Sequence, residues 1–297
     1  MTTMTKPFDT KRSRRLETIV QGRATSDGAG VQLTRVIGHS LQQRMDPFLM
    51  LDAFGSQERS DYQGGFPDHP HRGFETLTYL LAGRMRHHDS AGHEGLLEAG
   101  GMQWMSAGRG VIHSEMPEQE EGLLEGFQLW INLPAKDKLS APAYCEVAHN
   151  DIPRWTSPQG TSIAILMGAL MGMDGAIQRP LTEPLVLDIK IEAGVTEWIP
   201  LKKDHHAALY VIRGGIALGQ DRLTQREMGI LEQDATAEGV YLTAERQSQV
   251  LLIAGKPLQE PIVQQGPFVM NTTLEILQAI EDFRNARLTV PPDERGR

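Results

Sequence analysis

The chain of 297 residues has a single cysteine, Cys145. No intrachain disulfide can form, and a cysteine-based zinc site is excluded. One thiol in a chain of this size fits a reducing compartment, so a cytoplasmic location is expected. Positive charge is also scarce: 29 Lys and Arg stand against 38 Asp and Glu, a formal net charge of -9. A direct nucleic-acid binder needs the opposite balance to displace counterions from phosphates, and none is expected here. No uninterrupted apolar run approaches the roughly 20 residues that span a bilayer, so no membrane partner is expected either. The basic cluster Lys11, Arg12, Arg14 and Arg15 lacks the apolar segment of a signal peptide and reads as a solvated leader. A Walker loop, a dinucleotide-binding glycine fingerprint and a nucleophile elbow are all missing.

Helical periodicity is scarce as well. Thirty glycines and 17 prolines punctuate short apolar segments. Strands are expected at residues 76–81, 127–133, 163–167, 185–191, 207–212 and 250–253, several of them alternating with period two, as in LDIKIEA and FQLWINL. Many short strands with glycine-rich turns indicate an all-β sandwich or barrel. The last part differs. NTTLEILQAIEDFRNARL carries Leu274, Leu277, Ile280 (or Ala279) and Phe283 (or Arg284) at helical spacing, with Asn271 or Thr272 as N-cap. One amphipathic helix is expected there, its apolar stripe packed over a sheet.

The chain echoes itself. ETLTYLLAGRM resembles AALYVIRGGIAL, with Tyr79–Gly83 matching Tyr210–Gly214 at an offset of 131. Two related strand-rich halves are expected, residues 1–148 and 149–297. At that offset His69 and His71 fall on Pro200 and Lys202, so a site built on the histidine pair belongs to the first half alone.

That pair stands in FPDHPHRGFETLTYLLAG. On a strand, residues i and i+2 point to one face, which aims two imidazoles at one place. MQWMSAGRGVIHSEMP supplies a second such pair, His113 and Glu115. Two pairs on neighbouring strands would bring three imidazoles and a carboxylate together, a donor set that suits Fe, Cu, Ni or Zn. Glu75 competes for the carboxylate position, because it follows the histidines on the odd-numbered face. His87, His88 and His93, in RMRHHDSAGHEG, read as a hairpin loop outside the ligand set.

HPHRGFETLTYLLAG resembles the first cupin motif. QWMSAGRGVIHSEMP, DPFLMLDAFG, FQLWINLP and GPFVMNTTLEILQAIEDF closely resemble the pirin family, from about Arg35 to about Arg287. This resemblance implies a bicupin: two tandem β-barrels of the double-stranded β-helix type with a C-terminal helix. It places metal in the N-terminal barrel on His69, His71, His113 and Glu115. In many other cupins the glutamate of the first motif is the ligand, which would be Glu75; the pirin-like HSE favours Glu115.

Pirin relatives include quercetin 2,3-dioxygenases and a metal-dependent transcriptional coregulator. The resemblance thus implies a metal-dependent dioxygenase acting with O2 on a flavonol-like aromatic substrate. Fe(II) is the expected cofactor, with Cu, Mn, Ni and Zn compatible. Glu115 would serve both as ligand and as catalytic proton acceptor. Phe54, Trp104, Met105 and Trp130 are candidates to line the substrate pocket. The alternative is a metal- or redox-responsive module that binds a protein partner without turnover.

Overall fold

The computed structural model describes residues 11–291 together with Glu294. Its named strands all pair antiparallel, and among the described residues Thr273–Arg284 is the one helix longer than a few residues. Each of two barrels combines a seven-stranded and a four-stranded sheet. In the N-terminal barrel the larger sheet runs Ala143–Val147, Met102–Ser106, Phe74–Ala82, Leu124–Asn132, Phe48–Ser56, Val31–Ile37, Arg23–Asp27. The smaller runs Phe66–His71, Val111–Pro117, Arg84–Asp89, Glu94–Glu98. The C-terminal barrel repeats that order. Its larger sheet runs Leu16–Gln21, Glu227–Leu231, His206–Arg213, Ser248–Gly255, Leu185–Ile191, Ser162–Met167, Arg154–Thr156. Its smaller sheet runs Thr196–Pro200, Gly239–Ala244, Gly215–Leu218, Asp221–Thr224.

The offset of 131 is therefore a structural repeat: Phe74–Ala82 and His206–Arg213 hold the same place in their sheets. Gly83 and Gly214 end these strands at φ of 90° and 88°, a conformation open to glycine and strained for other residues. A Cβ on Gly214 would also lie 2.3 Å from the Ser248 hydroxyl oxygen.

The two ends of the chain are exchanged between the barrels. Leu16–Gln21 is the outer strand of the C-terminal barrel, paired with Glu227–Leu231. Residues 11–15 of the leader before it lie along that barrel rather than free of it; Lys11, Arg12 and Arg15 stay exposed, and Arg14 does not. Arg14 is buried and donates to the backbone carbonyls of His205 at 2.7 Å and Lys202 at 2.5 Å. Lys11 lies over the Trp198 ring, and Arg12 pairs with Asp234 at 2.9 Å. A strand recruited to cover a sheet edge carries its neighbours onto the same surface. The first ten residues of that leader lie outside the described residues.

Conversely, the hairpin Val263–Gln265 and Phe268–Met270, followed by the helix, packs on the N-terminal barrel. Arg72 there pairs with Asp282 at 2.8 Å, both nearly fully buried. The Lys138 ammonium donates to the carbonyls of Gly73 (2.7 Å) and Val269 (3.0 Å) and to Asn132 Oδ1 (2.7 Å). A division at 148/149 falls between the strands Ala143–Val147 and Arg154–Thr156; every strand of the N-terminal barrel precedes it, whereas the C-terminal barrel takes Leu16–Gln21 from the first half.

Thr272 caps the helix in a capping box with Glu275. Its packed face differs from the expected stripe. Ile276, Ala279 and Asp282 are buried, whereas Leu274, Leu277 and Phe283 are 77%, 55% and 41% exposed. The ion pair of Asp282 with Arg72 turns the helix, and a buried carboxylate does not register as part of an apolar face.

The two large sheets pack face to face. Leu77, Tyr79, Trp104 and Leu129 share one apolar cluster with Ala208, Tyr210, Leu251 and Ile253. The Tyr79 hydroxyl donates across it to Asp188 at 2.7 Å. Residues alternating with these along each strand face the barrel interiors, where the site lies.

Candidate metal centre

The register of the small N-terminal sheet assembles the centre. His113 lies directly opposite His69, and Val111 opposite His71. One nitrogen from each of His69, His71 and His113 lies within 4.8 Å of the other two. Their orientation is set from behind. His69 Nδ1 is 2.8 Å from the Pro67 carbonyl, and His71 Nδ1 is 3.4 Å from the Pro267 carbonyl. A nitrogen facing a carbonyl oxygen donates to it, which leaves a lone pair on each Nε2. Those two Nε2 atoms are 3.1 Å apart. Two facing lone pairs repel unless a cation stands between or beside them.

His113 makes the same point in another way: both of its ring nitrogens are buried with no hydrogen-bond partner. Buried polar atoms are rarely left so in a native protein. Burial first, and then the neighbouring imidazoles, hold His71 and His113 well below the usual histidine pKa. Both are neutral near pH 7, the form that ligates metal. The residues fit a divalent transition metal.

Glu115 follows on the same strand after a register irregularity that separates it from His113. It is not part of the three-histidine cluster, but it lines the cavity beside His69 and His71. Its carboxylate accepts from Thr78 Oγ1 at 2.9 Å, from Gln128 Nε2 at 2.8 Å and from Gln103 Nε2. Glu75 does not reach the cavity. It lies 2.5 Å from Arg179 of the C-terminal half, and burial pushes its carboxyl up to about 7.

His87 and His88 are on the strand Arg84–Asp89 rather than in a loop. His87 is buried, stacked on Tyr144 with ring centres 4.4 Å apart, and its Nε2 is 3.2 Å from Asp89. Its ring centre is 5.4 Å from that of His113. The alternation in RMRHHD, with Met85, His87 and Asp89 inward, is the signal that could have found this. Thr78, Gln103 and Gln128 also escaped the sequence reading, because single polar residues at inward strand positions carry no motif.

A cavity of about 540 Å³ opens onto the histidines. Glu115, Gln128, His69 and His71 form its polar side, and Met50, Phe54, Phe66 and Trp130 its apolar wall. Trp130 stacks on Phe74 at 4.1 Å and meets His71 edge-on at 5.1 Å. Arg35, also lining it, is held by Asp52 at 2.7 Å and Asp27 at 2.9 Å. Two of the expected wall residues lie elsewhere. Trp104 faces the packed interface between the barrels, with Arg179 4.9 Å above its ring, and Met105 packs on Ala107 and Val111.

Residues 30–131 match the family model Pirin, and residues 186–289 match the Pirin C-terminal cupin domain. A Pseudomonas aeruginosa protein named "Putative quercetin 2,3-dioxygenase" is 48% identical over 273 residues, 91% of this chain and 96% of its own. The chain belongs to the pirin family. Human pirin is 41% identical over 283 residues, 93% of this chain and 94% of its own. The crystal structure of a quercetin 2,3-dioxygenase from Acinetobacter baumannii superposes with a TM-score of 0.87 at 31% identity, covering 93% of this chain and 99% of that one. A bacterial pirin from Escherichia coli, solved with nickel(II), shares the fold at a TM-score of 0.61 and 20% identity, over 81% and 99% of the two chains. This pirin is thus a bicupin with a three-histidine cluster that could bind a metal. No helix among the described residues is long and apolar enough to cross a membrane.

Proposed function

We propose that this pirin is a metal-dependent dioxygenase that cleaves flavonol-type substrates with O2. His69, His71 and His113 hold one divalent metal, Fe(II), with Glu115 as the fourth protein ligand. The observation that carries the reading is the convergence of three imidazole nitrogens, two of the rings held neutral by burial, beside an aromatic-lined cavity of about 540 Å³ whose wall includes His69 and His71. That volume lies within the ordinary range of small-molecule sites, about 300–1,000 Å³. The bound metal supplies Lewis acidity to the enol and keto oxygens of the substrate and lowers the pKa of its hydroxyl.

The remaining work falls to the side chains. Glu115 takes the hydroxyl proton. Thr78 and Gln103 donate to its Oε1 and Gln128 to its Oε2, which holds the carboxylate in place and leaves a lone pair free on Oε2. Phe54 and Trp130, on neighbouring strands of one sheet, give the aromatic body an apolar wall to pack against and exclude water there, and Met50 and Phe66 extend it.

The test is oxygen uptake on adding quercetin to anaerobically Fe(II)-loaded protein, beside the His113→Ala variant, with metal content measured on both. Wild type should bind one metal per chain and consume O2; the variant should lose both while keeping its circular dichroism. A variant that keeps full metal occupancy overturns the ligand set. No uptake by protein loaded in turn with Fe, Cu, Mn and Ni overturns the flavonol reading.

A further inference from the structure

The mouth of the C-terminal barrel holds a second cavity, of about 660 Å³, with its own chemistry. It is the counterpart of the histidine cavity by strand register. Trp130 pairs with Thr76 and Met50; in the second barrel Ala254 pairs with Ala207 and Leu185, and Ala207 is Thr76 at the offset of 131. Ala254 and Leu185 therefore stand where Trp130 and Met50 stand. Pro200 and Lys202 stand where His69 and His71 do. All four line the second cavity. The change from Trp130 to Ala254 removes an indole from the wall.

The donors in the second cavity suit an anion rather than a metal. The Lys202 ammonium pairs with Glu183, Lys256 lies 3.7 Å from the same carboxylate, and His205 Nε2 lies 3.9 Å from it. Arg179 also lines the cavity, its guanidinium already paired with Glu75. His205 is 3% exposed, and its Nε2 is buried with no hydrogen-bond partner. Glu183 itself adopts φ of 42°, a left-handed backbone uncommon for glutamate. Its own carboxylate thus occupies a place shaped by two ammonium groups and an imidazole, and Pro184, Leu185, Pro200 and Ala254 supply an apolar wall beside it.

We propose that the mouth of the C-terminal barrel binds a small organic carboxylate with an apolar ring. The carboxylate sits on Lys202 and His205 Nε2, in competition with the side chain of Glu183, and the ring lies against Leu185, Pro200 and Ala254. This site is independent of the metal centre and of the dioxygenase reading.

Benzoate is the probe, titrated into the full-length protein by calorimetry and by saturation-transfer NMR, with acetate as the ring-less control. Benzoate should saturate one site in the His69→Ala background, and acetate should bind at least tenfold more weakly. Lys202→Gln, a change at an exposed side chain that leaves the fold intact, should weaken benzoate at least fivefold. Glu183→Gln should tighten it, because the competing carboxylate is gone; a merely structural role for Glu183 predicts no such gain. The proposal is overturned if benzoate fails to saturate wild type at millimolar concentration. It is equally overturned if binding disappears with His69→Ala, or if neither Lys202→Gln nor Glu183→Gln changes the affinity.

Discussion

The two barrels share a strand ladder and have opposite interiors. In the first, Thr78 pairs with Gln103 and Gln128, and Gln128 with Asp52. At the same ladder positions the second has Leu209, Gly229, Leu252 and Leu187. Opposite His69 stands His113; opposite Pro200 stands Gly239. The second interior is a continuous cluster of Ile, Leu, Val and Ala. The first gives its centre to imidazoles, to the carboxylates of Glu115, Asp52 and Asp89, and to amides that hold Glu115. A cupin ladder is therefore a container, and a few inward positions decide whether it is filled with hydrocarbon or with chemistry. The apolar barrel stabilises by burial of hydrocarbon. The polar one is stable only if each buried group finds a partner.

That contrast can be broken from either side. The largest effect is expected at the ion pair of the first barrel. Asp282→Ala breaks the buried pair with Arg72 and should cost about 4 kcal/mol in urea unfolding. The offset counterpart of Arg72 is the exposed Lys203, and Lys203→Ala should stay within about 0.5 kcal/mol.

Exchanging interiors comes next. Leu252→Gln puts an amide into the dry core and should cost about 3–4 kcal/mol. The mirror change Gln128→Leu removes the donor to Glu115 Oε2. It should lower metal affinity about 10–100-fold, read by chelator competition, with a much smaller loss of stability.

Glu75 couples the barrels through Arg179 and tests the pH dependence. Its carboxyl is raised to about 7 in the folded chain, so between pH 4.5 and 7 the native state holds a proton that the unfolded chain releases. Stability from this group therefore falls as pH rises through that window. Relative to Glu75→Gln, wild type should lose about 3 kcal/mol from pH 4.5 to pH 7 and nothing further above it. Equal slopes for the two proteins would refute the assignment. The smallest effect is at the helix cap: Thr272→Ala should cost about 1 kcal/mol and leave metal content unchanged.

Much was legible in the chain. Period-two alternation located the strands, and the Tyr79–Gly83 echo located the repeat, because a duplicated strand and turn keep the same glycine requirement. The i, i+2 spacing of His69 and His71, with His113 in strand-like context, led to three imidazoles that the folded chain brings together. Polar residues inside a barrel were harder to place. His87 was read as loop because two adjacent histidines beside charges look solvated, although only His88 of the two points outward. Trp104 and Met105 are apolar neighbours of the metal motif in sequence, which suggests pocket wall, but side chains near a site in sequence need not face it. Trp104 turns to the interface between the barrels, and Met105 packs beneath Tyr144.

The sequence by itself determined the all-β class, the repeat, the histidine set and the family, because each rests on local spacing or on motifs a few residues long. Only the tertiary structure decided where the chain ends go. Residues 11–15 dock on the far barrel, and the last hairpin and helix return to place the Pro267 carbonyl behind His71 and Asp282 against Arg72. It also decided which face of the helix is buried and which carboxylate shares the cavity with the histidines. These contacts join residues about 190 to 210 positions apart. Their energies depend on desolvation and register, and neither quantity exists until the sheets have closed.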